Sequence, residues 1–175
     1  MNTISEMRKN LNIAITVSGL KYGSKALKIT PISISFGGIK TAFNNAGLTS
    51  VSTVEQDLNY NVSSWDKYKE ALDMSYKIVK EFPWRKEVFD CDNRSAFINV
   101  LMSVYGLTCG RAHGEVYNSN TGDKKYLHWF NAVIDKDLNV YVFDADAGGK
   151  FTKIKKDEDI IIENNKYVID QVIFN

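Results

Sequence analysis

The chain has 175 residues and a formal net charge of +1, and hydrophobic residues make up 44% of it. These values are typical of one globular domain with its own core. The balanced charge, without a basic patch among aromatics, argues against binding to nucleic acid or to an anionic membrane. We find no stretch close to the ~20 continuous apolar residues of a membrane helix, and no convincing leader peptide. We therefore expect no membrane partner and a cytoplasmic or virion-associated location.

The first 60 residues carry weak patterns and are rich in Ser, Thr, Asn and Gly. Apolar residues predict strands over 11–17 and 26–36 and a short helix over 39–46. We interpret residues 1–60 as a strand-rich extension. It is either a docking element for a partner or part of the same domain as residues 61–175.

Two helices are predicted next. Aromatic and aliphatic residues recur at helical spacing over 63–82, which indicates a helix packed on a core. The second helix covers 89–106, with Asp90 as its N-terminal cap and Gly106 as its end. Cys91 lies in its first turn, where oriented backbone N–H groups favour a thiolate. The other cysteine, Cys109, is interpreted as a structural thiol.

The second half of the chain reads as strands. Alternating residues and turn signals predict strands over 111–117, 126–134 and 139–144, followed by a hairpin of 159–162 with 167–174. Helices followed by an antiparallel meander predict an α+β domain. We expect a central buried helix, carrying Cys91 at its N-terminus, packed on an antiparallel β-sheet.

The hairpin over 126–144 brings two polar residues together. If its loop has five residues, alternation places His128 and Asp144 on one face, within hydrogen-bonding reach at its far edge. The other residues of that face are apolar and should cover the helix that begins near Cys91. They are Phe130, Ala132, Ile134, Val140 and Val142.

A thiol, an imidazole and a carboxylate together are typical of nucleophilic catalysis. Cys91 would be the nucleophile, His128 the base that takes its proton, and Asp144 the group that fixes the imidazole tautomer. His113 is a competing base, but it lies on a polar strand face, so we prefer His128.

The surroundings of this set are less defined by the sequence. Trp84, Tyr126 and Trp129 are candidates for lining a substrate pocket. The spacing of the nearby aspartates fits no calcium loop, so we expect no metal and no cofactor.

Three segments carry a family resemblance: FDCDNRSAF, HWFNAVID and VYVFDAD. They resemble the papain-like and transglutaminase-like cysteine hydrolases, and most of all a group related to the C-terminal domain of fungal agglutinins that is also seen in phage and bacterial proteins. The resemblance implies Cys91 as nucleophile, His128 as base and Asp144 as acid. It implies cleavage of a peptide or amide bond, in a peptide or protein substrate, through an acyl-thioester. Some members of the group depend on Ca²⁺.

The chain departs from this group at two places. Arg94 and Ser95 follow the cysteine segment where an acid or a bulky aromatic is common, and the acid strand continues as Asp-Ala-Asp. The triad acid is therefore open between Asp144 and Asp146, and Asn131 matches a group position to which we assign no role. Two alternatives remain: an inactive papain-like structural or binding module, possible in a virion, and an acyltransferase or deamidase with the same triad.

Overall fold

The computed structural model describes residues 29–55 and 59–174, which form three helices and nine strands. The helices are α1 (Phe36–Asn45), α2 (Trp65–Val79) and α3 (Cys91–Val104). The strands are β1 (Ile32–Ser35), β2 (Ser52–Glu55), β3 (Asn59–Val62), β4 (Gly110–Asn118), β5 (Lys124–Ile134), β6 (Val140–Asp144), β7 (Lys150–Lys153), β8 (Ile160–Ile162) and β9 (Asn165–Phe174). The strand predicted over 11–17 lies outside the described residues.

The strands form one large sheet and one small one. The large sheet has the order β2-β9-β4-β5-β6-β7, with β8 also paired to β9, and β1 pairs with β3 in the small sheet. β2 runs parallel to β9, and the other pairs are antiparallel. The described part of the chain is therefore mainly β. This corrects the predicted fold class, because a papain-like α+β domain built around one central helix does not describe it.

The two longer helices form where their sequence patterns predicted them. α2 buries one stripe of side chains, which includes Tyr68, Leu72 and Val79. α3 ends at Val104, and Gly106, which follows its C-cap residue Tyr105, has a φ of 73°. The Leu107 N–H then donates to the Met102 carbonyl at 3.1 Å, and the Gly106 N–H donates to the Ser103 carbonyl at 2.9 Å. Glycine is needed here because other residues rarely adopt this backbone conformation. None of the described helices has the length and apolar character needed to span a bilayer.

Hydrophobic cores cover both faces of the large sheet. On one face α1 contributes Ile39, Ala42 and Phe43 to a core shared with β4, β5, β6 and β9. On the other face α2 and α3 pack on the sheet, and Val133 and Phe143 are among the strand residues in contact with them. The described part of residues 1–60 thus supplies one strand of the large sheet and one helix of its core.

The hairpin of β5 and β6 has the predicted register, with Ile134 opposite Val140. The buried Asp135 carboxylate holds the loop, because its Oδ1 accepts hydrogen bonds from the backbone N–H groups of Asp137 at 2.9 Å and Asn139 at 3.0 Å. The predicted packing of this hairpin is wrong. Its face of five apolar residues packs against α1, and α3 lies on the opposite face. The five residues are Phe130, Ala132, Ile134, Val140 and Val142.

A close approach between β4 and β9 shapes the region beside this hairpin. The pairing register shifts between His113 and Gly114, and a Cβ on Gly114 would lie 2.2 Å from the Val168 carbonyl oxygen. Only glycine fits such a contact. The missing side chain lets β9 lie close enough for Tyr167 to reach the end of β6.

Candidate functional site

The first candidate residue, Cys91, is also the first residue of α3, and its side chain is partly exposed. Asp90 occupies the N-cap position, but its carboxylate accepts a hydrogen bond from the Glu87 N–H at 2.9 Å and makes no cap bond, unlike the prediction. A hydrogen bond between the carboxyls of Asp90 and Asp92 lowers the pKa of Asp90 and raises that of Asp92. The thiol therefore lies at a helix start between two acids whose pKa values are shifted in opposite directions.

His128 connects the thiol to a carboxylate. It is buried on β5, and its Nε2 lies 3.0 Å from the Asp144 Oδ2 at the end of β6. Burial alone lowers the pKa of His128, but hydrogen bonds to Asp144 and Cys91, together with their charges, raise it to about 10. The imidazole is therefore held as a cation between the sulfur and the carboxylate at neutral pH.

Asp144 has hydrogen-bond partners on both oxygens. Besides the contact to His128, Oδ2 accepts from the Tyr167 hydroxyl at 2.6 Å, and Oδ1 accepts from the Asp146 N–H at 2.8 Å. Burial raises the pKa of Asp144, but the hydrogen bond and charge of His128 and these other donors lower it overall. A buried carboxylate with three donors has a fixed orientation, and it fixes the imidazole in turn.

The alternative thiol and the alternative base lie elsewhere. Cys109 is buried, and burial raises the pKa of its thiol to about 12, so it stays protonated at neutral pH. His113 pairs through Nδ1 with Asp170 at 2.9 Å on a partly exposed part of the sheet. The structure thus brings Cys91, His128 and Asp144 together and leaves Cys109 and His113 outside the set.

Asn131, for which no role was predicted, fixes α3 against the sheet. Its side chain is fully buried, and its Nδ2 donates to the Ser95 carbonyl at 2.9 Å and to the Gly110 carbonyl at 3.3 Å. These bonds join β5, the start of β4 and the second turn of α3. Asn131 therefore sets the distance between the two elements that carry Cys91 and His128.

The three aromatic residues predicted to line a pocket lie in different places. The Tyr126 ring is edge-on to the His128 ring at 5.6 Å, and Tyr126 is 47% exposed. Burial, followed by the charges of the site, raises the pKa of Tyr126, as expected for a ring beside it. Trp129 contacts the Arg111 guanidinium, which in turn donates to the Asp92 carbonyl. Trp84 is exposed in the segment before α3.

A second acid lies beside the first. Asp146 forms an ion pair with Arg94, with 2.9 Å between Oδ1 and Nη1. Three residues, His128, Asp144 and Asp146, each offer one atom that could bind a metal, and these three atoms lie within 4.8 Å of one another. Ca²⁺ needs six to eight oxygen ligands, and the two carboxylates are already paired with protein donors. The residues of this cluster therefore do not fit a calcium site.

Two residues of the site were missed at the sequence level. Arg94 lies one turn after Cys91, so helical spacing alone could have placed both on the same side of α3. Tyr167 comes from β9, and no local pattern connects it to Asp144. Its role follows only from the strand order of the sheet.

Comparison with known proteins gives a structural match and no sequence match. Neither a protein-family model nor a curated protein matches the chain. A solved structure described as the PSL1a–E64 complex matches with a TM-score of 0.57 and 18% identity, over 81% of this chain and 51% of the other. A Polyporus squamosus lectin bound to the human-type influenza-binding epitope Neu5Acα2-6Galβ1-4GlcNAc matches with a TM-score of 0.56 and 18% identity, over 81% and 49%. The chain thus shares its fold with a part of each protein, and that part is about half of the protein's length.

These matches correct three predictions. The predicted membership of the papain-like and transglutaminase-like hydrolases is wrong, because the similar structures are of a lectin. The predicted resemblance to fungal agglutinins is supported in part by the same match. The predicted function, a cysteine hydrolase of peptide or amide bonds, is contradicted for the same reason, as is its description as a thiol protease. The fold class is corrected again, since the neighbours are lectin structures.

Proposed function

We propose that this chain is a ligand-binding module, and that the cluster of Cys91, His128 and Asp144 forms its ligand site. The arrangement of that cluster carries the proposal: a partly exposed thiol lies next to a buried, charged imidazole–carboxylate pair. Buried charges that are paired and hydrogen-bonded are rigid, so they present fixed polar atoms to a ligand. The candidate ligands are a carbohydrate and a small molecule held covalently by Cys91, and neither requires cleavage of a peptide or amide bond.

A carbohydrate is the first candidate ligand. One similar structure is a lectin in complex with a sialylated trisaccharide, which supports this class, although this chain covers only 49% of that lectin. At the site, the exposed Tyr126 ring offers an apolar surface, and the partly exposed Asp146 offers carboxylate oxygens to hydroxyl groups. Carbohydrates present both C–H faces and hydroxyl donors, so they match a ring next to a carboxylate.

Saturation-transfer NMR with Neu5Acα2-6Galβ1-4GlcNAc and with Galβ1-4GlcNAc tests the carbohydrate proposal. We expect saturation of the sugar protons by the wild-type chain and its loss in Tyr126→Ala, because the ring is the apolar contact. Trp84→Ala is the matched control, since it removes an exposed aromatic residue of a different segment. No transfer to either sugar, or equal transfer in the Tyr126→Ala chain, contradicts a carbohydrate site here.

A small molecule held covalently by Cys91 is the second candidate. It is supported by the interaction of Cys91 with His128, which raises the pKa of the imidazole, and by the similar structure described as a complex with E64. The sulfur of a partly exposed cysteine attacks an electrophilic carbon; with iodoacetamide, the sulfur–carbon bond forms as iodide leaves and the thiol proton passes to solvent.

Intact-mass spectrometry after treatment with E64 or iodoacetamide tests this second candidate. We expect Cys91 to react at least about 100-fold faster than Cys109, because the Cys109 thiol is buried and protonated. His128→Ala should slow the Cys91 reaction, and Cys109→Ser should leave it unchanged. Equal and slow labelling of both thiols would contradict this candidate.

A further inference from the structure

The site contains two aspartates and one imidazole, which raises the question of what selects one carboxylate as the partner. A ring nitrogen of His128, a carboxylate oxygen of Asp144 and a carboxylate oxygen of Asp146 all lie within 4.8 Å of one another. Yet Asp144 makes the ring hydrogen bond, at 3.0 Å. The two acids are separated by one residue, so the backbone alone places both of them close to the ring.

Arg94 provides the difference between them. Its guanidinium lies 2.9 Å from the Asp146 Oδ1, and the side chains of this pair are 10% and 21% exposed. Asp144 is instead held by the Tyr167 hydroxyl and the Asp146 backbone N–H. Each carboxylate therefore has its own set of donors, and the cation of Asp146 comes from α3.

The surroundings of Asp146 act on its pKa in opposite directions, and the pKa is raised overall. Burial raises the pKa of Asp146, the Arg94 cation lowers it, and the neighbouring Asp144 and Asp90 raise it. His128 is the remaining charged group that faces Asp146, and its charge also lowers the pKa. If Arg94 lost its charge, the imidazolium would be the only cation among these groups, and Asp146 would be drawn to it.

We propose that Arg94 is a positioning residue: it holds Asp146 in an ion pair and thereby leaves Asp144 as the carboxylate partner of His128. The residue is one of the positions at which the chain departs from the sequence pattern of the cysteine hydrolase group. The residue that decides which acid pairs with His128 therefore lies on α3, far from both acids in the sequence. The inference concerns the site of the proposed function, but it does not depend on which ligand binds there.

The test is an NMR titration of the two histidines between pH 5 and 11, using ¹⁵N-labelled chain. His113 is the other histidine of the sequence, and its signals provide an internal reference. In the chain with Arg94 present, Asp144→Asn should lower the pKa of His128, which is about 10, by about 2 units or more. In the Arg94→Gln background the same substitution should lower it by less than about 1 unit, because Asp146 takes over. Arg94→Lys keeps a cation and should restore the larger decrease.

Two further variants make the result decisive. Asp146→Asn in the presence of Arg94 should change the pKa of His128 by less than about 0.5 unit, since Asp146 is not its partner. Arg94→Met keeps the aliphatic stem and repeats the comparison if Arg94→Gln does not fold. An equal decrease on Asp144→Asn with and without Arg94 would overturn the proposal. So would a decrease on Asp146→Asn as large as that on Asp144→Asn.

These outcomes are separate from those of the proposed function. The titration measures proton binding to His128 in the absence of ligand. If no ligand binds but the two backgrounds differ as expected, the positioning role stands and the binding proposal fails. If a ligand binds and the two backgrounds behave alike, the opposite conclusion holds.

Discussion

Two histidine–aspartate pairs lie on neighbouring strands and have almost the same separation between ring nitrogen and carboxylate oxygen. His128 and Asp144 are 3.0 Å apart with side chains 6% and 4% exposed, whereas His113 and Asp170 are 2.9 Å apart with side chains 24% and 54% exposed. Distance therefore does not distinguish them, and burial does. Water screens the outer pair, while the inner pair is shielded and has further donors on its carboxylate. The same contact is thus a surface feature at one place and the centre of a site at the other.

Removing the carboxylate of the inner pair should have the largest effect. Asp144→Asn leaves His128 buried without its ion-pair partner, and we expect a loss of about 3 kcal/mol or more in the free energy of unfolding at pH 7. Urea denaturation followed by circular dichroism measures it. A loss below about 1 kcal/mol would mean that the inner pair is as weakly coupled as a surface pair.

The contribution of the His128–Asp144 pair to the free energy of unfolding should depend on pH. The pKa of His128 in the folded chain is about 10, above its ordinary value of ~6.5. Its pairing therefore contributes full stability below about pH 6.5, and that contribution is lost as the pH rises toward about 10. The difference in unfolding free energy between wild type and Asp144→Asn should shrink across this window, as measured at pH 6, 8 and 10. A difference that stays constant would contradict the raised pKa.

Tyr167→Phe removes one donor from the inner pair and should have an intermediate effect. The buried Asp144 carboxylate keeps His128 and one backbone N–H, so we expect a loss of about 1–3 kcal/mol in unfolding free energy. Tyr117→Phe is the matched control, because the hydroxyl of Tyr117 donates to the Glu115 carboxylate near the surface. Urea denaturation measures both losses. Equal losses for the two variants would mean that the hydroxyl of Tyr167 stabilises the chain no more than a hydroxyl near the surface does.

The outer pair should give the smallest effect. Asp170→Asn removes an exposed partner of His113, and we expect a change below about 0.5 kcal/mol in unfolding free energy. The change should also decrease further in 0.5 M salt, because exposed charges are screened. A loss comparable to that of Asp144→Asn would remove the distinction between the two pairs.

The parts of the site that depend on local periodicity could be predicted. A five-residue loop and two-residue alternation were sufficient to place His128 beside Asp144, because strand register is set by these two quantities. The helix with Cys91 at its start was predictable because Gly106 gives its end a clear signal. Each of these inferences uses residues that are close in sequence.

The arrangement in three dimensions was not accessible in the same way. β6 is buried at every residue, so its sequence has no polar face and cannot tell which side receives α3. The ion pair of Arg94 and the hydroxyl of Tyr167 join residues far apart in the chain, and no spacing rule connects them. The family assignment failed because it depended on three short segments, while the strands of the large sheet decide the fold.

Gly114 carries no functional group, yet the geometry of the site depends on it. A methyl group at this position would collide with the neighbouring backbone, so substitution would push β9 outward and carry Tyr167 away from Asp144. The position of the Tyr167 hydroxyl therefore depends on a glycine on a different strand. Random mutagenesis that selects for an intact site should therefore recover almost no replacement of Gly114.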